Sequence, residues 1–244
     1  MEKVWVVASG KGGTGKSTLA ANLGAALASD GHRILLVDLS VGMRCLDLCL
    51  GLEDRVLFDV LDVLEGVCQA REAILTHPTV SSLFLMPAAQ NRSADNFDGQ
   101  RLQILCSSLS KEFDLIILDC PPGLEPIPAR AAMGAYRGMI VTTADPAAIR
   151  DADRMAAELS AAGVLETYLV VNRFRTDFLL QKIVASAQEI AASLGLPLLG
   201  TIPEDEAVGA ATLCGVPVVI RQPDSPAARI FKAIAGRMPG KELL

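Results

Sequence analysis

Aromatic residues make up only 4% of this 244-residue chain, with one Trp and two Tyr, so its core is not built around stacked rings. The 51% hydrophobic fraction rests mainly on Leu, Ile, Val and Ala, which suits strands buried on both faces beneath Ala-rich helices. Positive charge is also scarce. Lys and Arg number 22 against 28 Asp and Glu, a formal charge of −6 that disfavours nonspecific nucleic-acid binding as the main activity. The longest uncharged stretch of the C-terminal third, Ala207 to Ile220, is broken by Gly209, Gly215 and Pro217. It falls short of the roughly 18 apolar residues that a membrane-spanning helix requires.

Paired cysteines are missing too. The six cysteines (Cys45, Cys49, Cys68, Cys106, Cys120 and Cys214) form no CxxC motif, and only two His accompany them. That pattern fits reduced, mostly buried thiols better than zinc, iron–sulfur or disulfide chemistry. No linker rich in Pro, Gly or Ser, no repeat and no low-complexity tract divides the chain, although 87–99 is a polar loop and 121–128 is proline-rich. One domain over 1–244 is expected. Glu2 and Lys3 lead straight into a strand, so no cleavable leader is expected and the location should be cytoplasmic, with the inner membrane face as the peripheral alternative.

What is present is a recurrence of short apolar, β-branched runs: Val4–Ala8, Ile34–Asp38, Leu83–Met86, Leu115–Asp119, Met139–Thr143, Tyr168–Asn172, Leu198–Ile202 and Val218–Ile220. They predict eight strands, with helical patterns between them long enough for crossovers. The fold class is therefore α/β, a doubly wound and mostly parallel sheet with helices on both faces. Several strands end in polar residues (Ser9, Asp38, Asp119, Thr142 with Thr143, Asn172), which marks one sheet edge as the site.

Residues 10–18 read GKGGTGKST, directly after the strand VWVVAS and before an Ala-rich helix pattern. This is the context that a phosphate-binding P-loop requires. Gly10, Gly12, Gly13 and Gly15 let backbone N–H groups converge on phosphate, Thr14 and Thr18 complete the cradle, and the helix N-terminus adds partial positive charge. Lys16 is expected on the β- and γ-phosphates, and Ser17 on Mg²⁺. The run DLIILD at 114–119, followed by CPPG, predicts a Walker B strand with Asp119 at the metal and Gly123 bringing its N–H to the γ-phosphate. Guanine recognition usually needs a carboxylate, as in an NKxD segment after a strand. Here the strand ends VVNRF, which favours ATP over GTP.

Lys11 is an additional lysine between Gly10 and Gly12, and with it the loop resembles the deviant Walker A family of P-loop ATPases, which includes MinD, ParA and the nitrogenase iron protein. The segments at 37–66, 142–154, 170–175 and 198–208 extend the resemblance to the MinD-like branch over nearly the whole chain. The resemblance implies an ATP-dependent homodimer in which Lys11 acts in trans on the partner's phosphates. It places adenine beside Asn172, with Arg173 and the segment Ile202, Pro203, Glu204 and Asp205 nearby. It further implies a protein partner in cell-division or another positioning system, with the helix around Arg150, Asp151, Asp153 and Arg154 near the dimer and partner surface.

Two departures qualify it. The family carries an Asp near the attacking water, two residues beyond Asp38, but position 40 is Ser. A hydroxyl orients water without accepting its proton near neutral pH, so Asp38 and Ser40 join Lys11 and Lys16 as catalytic candidates, with Asp38 also at the metal, and slow or lost hydrolysis is expected. The family's basic amphipathic membrane helix has no counterpart either. The last helix pattern, opened by Ser225 and Pro226, presents Ala227, Ile230, Phe231 and Ile234 as a core face, and Pro239 with Gly240 argues against another helix. Membrane contact is therefore not expected. The alternatives to a cycling switch are an ATP-gated scaffold without hydrolysis and a ParA-like DNA-partition ATPase, which the acidic total disfavours.

Overall fold

The protein is described by a computed structural model covering residues 2–93, 97–123 and 126–238. Strand β1 (Val4–Ala8) shows why the apolar runs are continuous rather than alternating. Val4, Val6 and Ala8 enter one core, while Trp5 and Val7 enter another on the opposite face. After it come β2 (Ile34–Asp38), β3 (Leu75–Thr76), β4 (Leu83–Met86), β5 (Leu115–Asp119), β6 (Arg137–Thr142), β7 (Glu166–Phe174) and β8 (Leu198–Pro203). They form one eight-stranded sheet in the order β3-β4-β2-β5-β1-β6-β7-β8. All neighbours pair in parallel except β3 and β4, where Leu75 faces Leu85.

The helices, in chain order, are α1 (Lys16–Ser29), α2 (Leu46–Leu50), α3 (Val60–Glu65), α4 (Ala70–Ala73), α5 (Gly99–Leu109), α6 (Pro126–Ala132), α7 (Pro146–Ala161), α8 (Thr176–Leu180), α9 (Ala187–Leu194), α10 (Glu206–Leu213), α11 (Val218–Arg221) and α12 (Pro226–Arg237). Residues of α1, α2, α11 and α12 fill one core, and residues of α3, α5, α6, α7 and α9 fill the other. Because the chain leaves β1 toward β2 on one side and later reaches β6 on the other, β1 sits at the switch point of the sheet. Ligand crevices open at the C-terminal ends of the strands there.

One predicted strand is corrected. Val218–Ile220 belongs to the short helix α11, and the eighth strand is instead β3, a two-residue antiparallel edge. A run of three apolar residues carries no period that separates helix from strand. Pro217 starts the helical turn, Val218 and Val219 are buried, and the Val219 N–H donates to Asn22 Oδ1 of α1 at 3.2 Å.

Helix α12 forms as the sequence predicts. The Ser225 hydroxyl accepts from the Ala228 N–H, Pro226 occupies the first turn, and Ala227, Ala228, Phe231, Ile234 and Ala235 are buried against α1 and β8. Pro239 and Gly240 lie outside the described residues. No helix among the described residues is long and apolar enough to cross a membrane.

Candidate nucleotide-binding site

The loop between β1 and α1 is organised from below by Ser9, which is 1% exposed. Its hydroxyl donates to the Lys11 carbonyl and accepts from the Thr14 hydroxyl at 3.0 Å and the Lys16 ammonium at 3.3 Å. Those three bonds saturate a hydroxyl and fix both ends of the loop. Gly15 enters α1 in the left-handed region with φ 93°. The first turn of α1 carries no acidic side chain, so its free N–H groups keep their attraction for an anion. Lys16 is buried, and burial lowers its pKa while the Asp119 carboxylate works in the opposite direction.

Asp119 ends β5 with no solvent exposure, and neither of its oxygens has a hydrogen-bond partner. Burial first, and then the neighbouring Asp38 carboxylate, push its pKa up to about 8, while the nearby Ser17 hydroxyl and Lys16 ammonium oppose the rise. A buried carboxylate that no backbone N–H serves, beside the Ser17 hydroxyl and a phosphate cradle, fits a divalent cation. Among the described residues no group of three His, Cys, Asp or Glu could hold a metal without help, so phosphate oxygens and water would complete the shell.

Asp38 has a different environment. Its Oδ1 accepts from the Ser40 N–H at 2.8 Å, and its Oδ2 accepts from the Cys45 and Leu46 N–H groups at 2.9 Å each. Burial raises its pKa, and these three bonds pull against the rise. Asp38 thus pins the loop leading to α2, which leaves its carboxylate little capacity for direct metal ligation. Ser40 is held in the same corner, 3% exposed. Gly123, with φ 95°, donates its N–H to the Ser9 carbonyl at 3.2 Å and would have to release it to meet a phosphate.

The residues expected around the base come together. Gly15, Thr18, Asn172, Arg173, Pro203, Glu204 and Asp205 line one cavity of about 950 Å³, which residues of α10 also border. Their roles differ within it. Asn172 is buried and donates from Nδ2 to the Thr14 carbonyl at 2.7 Å, so it braces the phosphate loop. Asp205 accepts from the Ala207 and Ala227 N–H groups with separate oxygens, tying α10 to α12. Arg173 is exposed and has φ 51°, near the end of β7 where its pairing with β8 shifts register. It also borders a second, more apolar cavity beside Ile149 and Phe178. Glu204 is 58% exposed and lies 4.0 Å from Arg175.

Lys11 is exposed on the rim, where its ammonium pairs with Asp145 Oδ1 at 2.9 Å. Asp145 is a residue that sequence reasoning missed. Its signal was the Asp-Pro pair opening a helix pattern, a capping signature that by itself says nothing of Lys11. Ser9 was read only as a polar strand end, and its three bonds were not foreseen.

With this geometry in view, the chain matches the CobQ/CobB/MinD/ParA nucleotide-binding domain over residues 5–218. It is 40% identical to the septum site-determining protein MinD of Synechocystis sp., over all of this chain and 91% of that one. The chain belongs to the MinD family of P-loop ATPases. Among solved structures it resembles the MinC:MinD cell-division complex of Aquifex aeolicus with a TM-score of 0.90 and 34% identity, over 98% of this chain and 96% of that one. MinD of Pyrococcus horikoshii complexed with Mg-ADP superposes with a TM-score of 0.87 and 30% identity, over 96% and 95% of the respective chains. Nucleotide and Mg²⁺ binding are thus properties of the MinD family.

Proposed function

We propose that this chain, as one domain, binds ATP with Mg²⁺ and uses it to switch between a monomer and a homodimer that recruits a protein partner of the machinery placing the division site. The observation that carries the reading is the convergence of Lys16, Ser17 and the donor-less Asp119 beneath a loop that also bears Lys11 on its rim.

Each residue then has a distinct task. Lys16 and the loop N–H groups would bind the phosphates, Ser17 and Asp119 would hold Mg²⁺, and Asp38 fixes the loop that carries Ser40. Mg²⁺ supplies neutralisation of charge on the phosphate oxygens. Asn172 braces the loop from the base side, while Arg173, Pro203 and Glu204 line the base cavity. Lys11 serves the partner protomer's phosphates, and Gly123 couples the switch loop to the γ-phosphate. Ser40 supports a second reading, an ATP-gated scaffold that pairs without turning over, because nothing at position 40 can take a proton from water.

Gel filtration in ATP and in ADP, run beside a turnover assay, tests both. The parent is expected to dimerise in ATP alone and Lys11→Ala to remain monomeric. A Lys11→Ala variant that pairs and hydrolyses like the parent sinks the trans role, and a dimer with no turnover favours the scaffold.

A further inference from the structure

The loop between β2 and α2 is closed by its own backbone. The Met43 and Arg44 N–H groups donate to the Ser40 carbonyl at 2.9 and 3.0 Å, and the Gly42 N–H reaches across to the Ala89 carbonyl at 2.8 Å. Arg44 completes this turn with φ 49°, a left-handed backbone that residues with a Cβ adopt only where their surroundings enforce it. Its side chain supplies that enforcement. Nε donates to Asp47 Oδ2, Nη2 donates to the Glu53 carbonyl at 2.7 Å, and Nη1 reaches Gln90 Oε1 at 3.4 Å. One guanidinium, 16% exposed, thus spans α2, the turn that follows it and the loop after β4. Asp47 is buried and its second oxygen has no partner, so loss of the Arg44 charge would leave a buried carboxylate uncompensated.

The same loop borders the phosphate site. Ser40 and Cys45 donate their N–H groups to Asp38, whose register partner is Asp119, and both Asp119 and Cys45 are electrostatic neighbours of the Lys16 ammonium. From this arrangement we propose that Arg44 is a positioning residue, a three-way clamp that holds the 40–45 loop as a fixed wall on the γ-phosphate side of the site, so that ATP binding depends on it and ADP binding does not. The inference deepens the Mg-ATP reading above and rests on it. Arg44 itself touches no reacting atom. It acts through the backbone of Ser40 and Cys45, whose places it fixes by enforcing the turn between them.

Two variants separate the clamp from the charge. Arg44→Lys keeps a cation beside Asp47, but a single ammonium lacks the fork that reaches three elements at once. Arg44→Asn removes the cation and tolerates the left-handed φ. Dissociation constants for Mg-ADP and for a non-hydrolysable ATP analogue with Mg²⁺ are measured on the parent and both variants, with urea denaturation alongside. Both variants are expected to keep the parent's affinity for Mg-ADP and to bind the ATP analogue about three- to ten-fold more weakly, the worth of one hydrogen bond. Arg44→Asn should be the less stable of the two, because it leaves Asp47 unpaired. Equal weakening of both nucleotides would make Arg44 a purely structural residue and overturn the proposal, as would unchanged affinity for the analogue. An Arg44→Lys protein with the parent's selectivity would assign the effect to charge and overturn the clamp. A parent that binds neither nucleotide overturns the Mg-ATP reading itself, a failure distinct from one confined to the variants.

Discussion

Asp38 and Asp119 are register partners at the ends of β2 and β5, both fully buried, yet three backbone N–H groups serve Asp38 and none serves Asp119. Two carboxylates at the same depth therefore play opposite parts. One is satisfied by its own chain and holds a loop, and the other is left open, as the proposed Mg²⁺ role requires. Its neighbour's charge adds to the cost of that openness.

That cost should be visible in the metal-free protein. A carboxyl whose pKa is about 8 when folded, against about 3.9 when unfolded, binds its proton more tightly in the folded state. Its contribution to stability is therefore favourable at low pH and is lost as pH rises from about 4 through about 8. Asp119→Asn removes the titration. In EDTA, urea denaturation should find the parent losing stability relative to the variant between about pH 5 and pH 8, by an amount on the order of a few kcal/mol. Parallel pH profiles for the two proteins would refute the assignment. With nucleotide present, the same variant should lose the gain in affinity that Mg²⁺ gives the parent.

Ser40 sits next to the same pair, its N–H on Asp38. Ser40→Asp would supply the acceptor that the hydroxyl is not. Single-turnover hydrolysis should then rise roughly 10²-fold, the lower end of what a positioned acid–base group contributes. Equal rates would mean that position 40 does not limit the reaction.

Asn172 offers a test of bracing against base reading. Its amide holds the Thr14 carbonyl, and a Cβ on Gly15 would lie 2.2 Å from that amide nitrogen. Gly15→Ala therefore has to displace Asn172 and force a side chain into a left-handed φ of 93°. A loss of about 1–3 kcal/mol in stability and a collapse of nucleotide binding are expected. Asn172→Ala removes only the brace. It should weaken ATP, ADP and GTP together by about five- to ten-fold, the worth of one buried hydrogen bond. Weakening of the adenine nucleotides alone would make Asn172 a reader of the base.

The distribution of what was legible in the sequence follows from the range of the signals. The phosphate loop was readable because strand, glycines, lysines and helix lie within one short segment. The strands were readable where both faces are buried, since burial on two sides leaves an uninterrupted apolar run. Val218 and Val219 gave the same local signal and became helical, because Pro217 and contacts with α1 decide their conformation. β3 was missed because two residues, Leu75 and Thr76, carry no pattern at all. Within the site, the type of residue was visible and its state was not. Nothing in the sequence distinguishes the saturated Asp38 from the orphaned Asp119, and the Lys11–Asp145 pair joins positions 134 residues apart.

Helix α12 supplies the last test, because an apolar helix face near a C-terminus can serve a core or a membrane but not both. Phe231 is 1% exposed and Ile234 is fully buried, and both pack into the core shared with α1 and β8, while Arg229 and Lys232 stay in solvent. Exposing that face to lipid would open the core, at a cost of several kcal/mol for these side chains alone. Phe231→Ala should therefore destabilise the protein by about 3–5 kcal/mol in chemical denaturation. Insertion of α12 itself into anionic liposomes is not expected in either ATP or ADP, since its apolar face is already covered. ATP-dependent pelleting, together with a Phe231→Ala protein as stable as the parent, would show that α12 detaches and would reverse its assignment to the core.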